Sequence, residues 1–144
     1  MTDLQLTAFE RVVITTILQP SHPVMDALRE QLEACLVTDR EFTGVGFFTG
    51  LHVPADIPDA PVTRDRLHLG EVAASLTGLE HGAGFVLFVT RGRLGTLEGF
   101  SYGEPWPDEI EGWNVTPMTP GRGEGVESDL EQVANAWGRT DQSG

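Results

Sequence analysis

From Phe9 to Leu36 apolar residues recur at every third or fourth position, whereas from Glu41 onward they alternate with polar ones. The change of period predicts helices first and strands after. Thr7-Ala8-Phe9-Glu10 has the form of a capping box, in which a hydroxyl and a carboxylate each satisfy a free backbone N–H at a helix start. Phe9, Val13, Thr16 and Ile17 continue from it at helical spacing. Pro20 and Pro23 break the run, and Pro23 suits the first turn of a second helix, where no N–H is needed. Met25, Leu28, Leu32, Cys35 and Leu36 form its apolar stripe. Two short helices joined by a tight turn predict a hairpin.

Strands should follow. Between Glu41 and Val53, the residues Val45, Phe47, Leu51 and Val53 share one parity, and Phe42, Gly44, Gly46, Phe48, Gly50 and His52 share the other. Glycines on one face either admit a helix backbone or a ligand, or mark a bulged, twisted strand. The proline-bearing stretch 54–63 reads as a loop or an edge. Arg66 to Leu76 offers a strand whose second half, from Val72, reads equally as a short helix. Phe85 to Thr90 is apolar on both parities, the pattern of a strand covered on both faces. Arg91-Gly92 reads as a two-residue hairpin turn, with a return strand to about Phe100. The stretch 116–125 is a linker by composition. Ser128 to Glu131 repeats the capping box, and Val126, Leu130, Val133 and Trp137 mark one helical face.

The expectation is an α+β fold, with an N-terminal helical hairpin on one side of a mainly antiparallel sheet of about four to six strands. Residues 1–115 would form one domain, followed by the linker 116–125 and a short helix and tail over 126–144. A chain of 144 residues can bury a normal core without staples. One cysteine, Cys35, excludes an internal disulfide and fits a reducing compartment. The start, MTDLQLTAFER, lacks the basic and unbroken apolar stretches of a signal peptide. A cytoplasmic protein is the expectation.

Charge narrows the choice of partners. The net charge is −13, from 22 acids against nine basic residues, all arginine. Ten of the acids lie at or beyond Glu98, against Arg122 and Arg139 only, so the acidity concentrates toward the C-terminus. Such a field repels nucleic-acid backbones and anionic membranes and favours basic partners.

Three motifs invite chemistry and fall short of it. Gly99-Phe-Ser-Tyr-Gly103 matches the G-x-S-x-G nucleophile elbow, but Pro105 and Pro107 oppose the helix that must follow. All four histidines also precede Ser101, against the order the triad needs. Gly44-Val-Gly-Phe-Phe-Thr-Gly50 has the wrong spacing for a phosphate loop, and the chain has no lysine. His52, His68 and His81 lie on separate segments with no metal-ligand spacing. Neither a metal nor another cofactor is expected.

The best candidate is the acidic-aromatic stretch Glu104 to Trp113. Trp106 and Trp113 offer anchoring area, prolines lower the ordering cost, and Asp108, Glu109 and Glu111 can meet cations on a partner. The rings would equally serve as a lid on the open end of the sheet, with the carboxylates outside. The leading expectation is a non-catalytic binding module for a basic protein partner, of the immunity or inhibitor kind. A small-molecule site or enzyme built from the glycine face with His52, His81, Ser101 and Tyr102 is the alternative, and a nucleic-acid mimic is a third. Arg91 and Arg93, at the hairpin tip, would bind an anion or pair with the acidic C-terminal part.

The blocks EFTGVGFFT (41–49), EHGAGFVLFV (80–89) and LEGFSYGEPWP (97–107) resemble those of a group of small, uncharacterised bacterial cytosolic proteins. The resemblance covers roughly residues 5–113. It implies a compact bacterial cytosolic domain and carries over no activity, cofactor or site residue.

Overall fold

The computed structural model describes residues 5–70 and 72–117. Two helices open it: α1 (Ala8–Ile17) and α2 (Pro23–Ala34). The capping box forms, with the Thr7 hydroxyl accepting from the Glu10 N–H and the Glu10 carboxylate accepting from the Thr7 N–H. Pro23 takes the first position of α2, and the His22 ring accepts from the Val24 N–H in front of it.

Seven strands follow: β1 (Leu36–Phe42), β2 (Gly46–His52), β3 (Arg66–Leu69), β4 (Val72–Leu76), β5 (Ala83–Thr90), β6 (Arg93–Ser101) and β7 (Trp113–Pro117). They build one antiparallel sheet in the order β1-β2-β6-β5-β4-β7, and β3 lies end to end with β4 along β5. Between Leu69 and Ala73 that side of the ladder advances four residues while β5 advances three, so one extra residue is taken up there. Similar irregularities fall between Val37 and Asp39 on β1 and between Phe88 and Val89 opposite β6. Each adds local twist to the sheet. The fold is α+β, with the helical hairpin on one face of an antiparallel sheet.

The sheet has more strands than expected, because the stretch 66–76 forms two strands, β3 and β4, where one was expected, and because strands begin and end the sheet where none was expected. Leu36 does not continue the stripe of α2; the helix stops at Ala34 and Leu36 starts β1, where it is half exposed. At the other end, Trp113 to Pro117 pairs with β4 and carries strand structure two residues into the expected linker. The rest of that linker and the expected helix of 126–144 lie outside the described residues. Residues 72–76 are strand, not helix.

The core lies between helices and sheet. Phe9, Val13, Ile14, Ile17, Leu28 and Leu32 meet Phe47, Leu51, Leu69, Phe85, Leu87, Val89 and Leu97, all buried. Gly99 makes this layer possible on the central strand. A Cβ there would stand 2.3 Å from the Phe47 ring and 3.0 Å from the Phe85 ring, so both rings lie directly on the β6 backbone. The β5–β6 turn has positive φ at both Arg91 (50°) and Gly92 (79°), the type I′ geometry that suits strand twist.

Candidate functional site

The two ends of the β5–β6 hairpin are held very differently. At the turn end, Gln31 reaches down from α2, fully buried. Its amide donates to the carbonyls of Pro58 (3.1 Å) and Gly92 (2.7 Å), and its oxygen accepts from the Leu94 N–H (3.0 Å). Arg93 donates to the carbonyls of Val53, Pro54 and Ile57 and pairs with Asp59. Its guanidinium is therefore committed to holding the proline-rich loop after β2, and is not a free anion site.

The opposite end carries the acidic-aromatic loop. The Ser101 N–H donates to the Val45 carbonyl and the Trp106 N–H to the Gly44 carbonyl, so the loop is tied to the β1–β2 turn. At its far side the Thr77 N–H donates to the Gly112 carbonyl. The Glu104 carboxylate accepts from the N–H groups of Glu80 (2.8 Å) and His81 (2.9 Å), and those donors hold it below the usual carboxylate range. Trp106 is buried at 8% exposure against Phe47, ring centres 5.4 Å apart. Trp113 sits half-buried on β7, edge to face with Phe9 at 5.3 Å. Both rings thus lie beneath the loop.

Asp108, Glu109 and Glu111 stand outside, exposed, with no ion pair or hydrogen bond among the described residues. Three large apolar side chains surface at the same end of the sheet: Phe42 at 67% exposure, Val45 at 45% and Tyr102 at 57%. Sequence periodicity hides the first two, because it runs Phe42 and Val45 into one alternating strand. Gly44, with φ of 97°, instead turns the chain between β1 and β2 and leaves both residues at the tip.

The four residues of the alternative small-molecule site do not converge. Gly46 pairs with Phe100 at one end of β2, and His52 stands six residues away at the other. That is about 20 Å at roughly 3.4 Å per strand residue. His81, Ser101 and Tyr102 share the loop end of the sheet. Ser101, however, is buried and donates its hydroxyl to the Glu104 carbonyl, while His81 and Tyr102 are exposed. A serine that donates to a main-chain carbonyl has no base to take its proton. The room left by Gly50 is filled by the side chains of Thr38 and Asp39, and that at Gly84 by the rings of Phe100 and Tyr102.

Burial pushes the Cys35 thiol up, away from thiolate reactivity. Among the described residues no group of three or more His, Cys, Asp or Glu is arranged to hold a metal, and no helix is long and apolar enough to cross a membrane. No protein-family model matches the chain, and no curated protein or solved structure matches it either.

Proposed function

We propose that this protein is a non-catalytic binding module that engages a basic protein partner, in the manner of an immunity protein or inhibitor, in the cytoplasm. The observation that carries it is the loop end of the sheet. Three exposed, unpaired carboxylates stand on a segment tied down by its own backbone, beside three exposed apolar side chains. Apolar anchors within a charged rim are the usual anatomy of a protein interface. In this arrangement Phe42, Val45 and Tyr102 supply apolar contact, and Asp108, Glu109 and Glu111 supply attraction and register. Trp106 and Trp113 contribute from beneath, by holding the loop in one shape before binding, which lowers the ordering cost.

An acidic surface on a chain of net charge −13 speeds encounter with a cationic partner and makes it sensitive to salt. The experiment is capture from a lysate of the source cells at low salt, with the wild type and with Asp108→Asn/Glu109→Gln/Glu111→Gln side by side. A basic protein held by the wild type, released by salt and lost by the variant is the expected result. Equal capture by the two proteins, or capture indifferent to salt, would sink the proposal.

A further inference from the structure

Alternate residues of the sheet face away from the two helices. Arg40 and Thr49 both reach Glu10 of α1, and Leu97 is buried in the core, so their neighbours Glu41, Phe48 and Glu98 point to the opposite face. The register sets these three in one row across β1, β2 and β6, with Glu41 opposite Phe48 and Phe48 opposite Glu98. One ring thus lies between two carboxylates, with Cβ atoms about 5 Å apart on either side.

Neither carboxylate has an ion pair or hydrogen bond among the described residues. Glu98 is partly buried between Phe48 and Val86, and burial pushes its carboxyl up. A carboxylate partly stripped of water and without a counter-charge is stabilised by a cation that reaches it. Arg66 lies on the same face but pairs with Thr90, four residues along β5 from Val86. That is about 13 Å at roughly 3.4 Å per residue, too far along the sheet to serve Glu98.

The row also selects among cations. An aromatic ring attracts a cation over its face. A guanidinium is planar and weakly hydrated, so it can stack on the ring while its fork reaches carboxylates at the edges. An ammonium is a compact point charge that holds its water more tightly.

This row adjoins the loop end. Phe100 follows Glu98 on the same face, diagonal to Phe48, and its ring meets Tyr102 edge to face at 5.8 Å. Both lie over Gly84, where a Cβ would stand 2.8 Å from the Phe100 ring and 2.8 Å from the Tyr102 hydroxyl. Aromatic surface therefore runs from Tyr102 through Phe100 to Phe48.

We propose that Phe48, flanked by Glu41 and Glu98, receives an arginine side chain of the basic partner, so that the interface extends from the loop end onto the helix-free face. The source of the arginine rests on the partner reading above; the receiving site belongs to this chain alone.

Titration of the full chain with N-acetylarginine amide, followed by NMR, tests the site without the partner. The Phe48 ring, the Glu98 carboxyl and their strand amides should shift saturably, and the lysine counterpart should bind severalfold more weakly. Glu41→Gln/Glu98→Gln should weaken binding about tenfold. Phe48→Leu, which keeps both carboxylates, should weaken it about two- to fivefold. Amide shifts of β5 and the core should show both variants folded. Asp108→Asn/Glu109→Gln/Glu111→Gln should bind the probe as the wild type does. The proposal is overturned by shifts confined to residues 104–113, by no saturable shift in the wild type, by equal affinity for the lysine counterpart, or by binding that survives either sheet variant. Failure of the loop variant to change lysate capture sinks the loop reading instead, and does not alter the result at Phe48.

Discussion

The two ends of the β5–β6 hairpin spend their polar groups in opposite directions. At the turn end, Gln31 and the two terminal nitrogens of Arg93 are spent on main-chain carbonyls, one N–H and Asp59. At the loop end, the inward bonds are made by Glu104 and by backbone groups, and three carboxylates are left facing water. The same kinds of residue thus do two jobs. Where side-chain polar groups are consumed by the fold, the loop is a structural part. Where the backbone and one glutamate suffice to hold the loop, the remaining charges are left facing solvent.

This contrast breaks most visibly at Gln31. Gln31→Ala orphans the buried Leu94 N–H, removes one donor each from the Pro58 and Gly92 carbonyls and leaves a cavity, so chemical denaturation should show a loss of about 2–4 kcal/mol. Partner capture by the protein that remains folded should be unchanged, because the proposed site lies at the other end. Trp106→Ala should cost somewhat less, about 2–3 kcal/mol, since the ring sits at the margin of the core. Unlike the change at Gln31, it should also weaken partner binding, because the loop loses its support without losing a charge.

Glu10 sharpens the comparison as a carboxylate turned fully inward. Burial pushes its carboxyl up, but hydrogen bonds from Arg40, the Thr7 N–H and the Thr49 hydroxyl, together with the Arg40 charge, outweigh this and hold it low. Its contribution is therefore complete above the usual value of 4.5 and is lost as pH falls through the lower folded value. Glu10→Gln should cost about 1–2 kcal/mol at neutral pH. Denaturation between neutral pH and pH 3 should show a shallower acid decline for the variant than for the wild type. The smallest effect on stability belongs to Asp108→Asn/Glu109→Gln/Glu111→Gln, below about 0.5 kcal/mol. A change that large in stability would mean these carboxylates are structural after all.

What could be read from sequence was local. The T-x-x-E box, the proline at the start of α2 and the two-residue turn at Arg91-Gly92 are each decided by neighbours within a few positions. β1 escaped because Leu36 and Val37 extend the apolar spacing of α2, and only the turn away from Ala34 reveals the strand. β7 escaped because a strand ending in Thr-Pro beside a glycine- and proline-rich stretch looks like its surroundings. The tryptophans were undecidable for a different reason. Whether Trp106 is a handle or a support depends on Phe47, 59 positions earlier in the chain. The exposure of Phe42 and Val45 was masked by a periodicity that a single glycine interrupts.

The bulge on β1 bears on how copies of this protein meet. β1 is an edge of the sheet, and an edge strand is a template on which another chain can add itself. Here the hydrogen-bond rhythm breaks between Val37 and Asp39, and the residues that follow are Asp39, Arg40 and Glu41. A second strand would find its pairing out of step after two residues, then charged side chains opposite its own. The edge is thereby a poor template for strand-by-strand addition, so copies of the chain do not extend the sheet from this side.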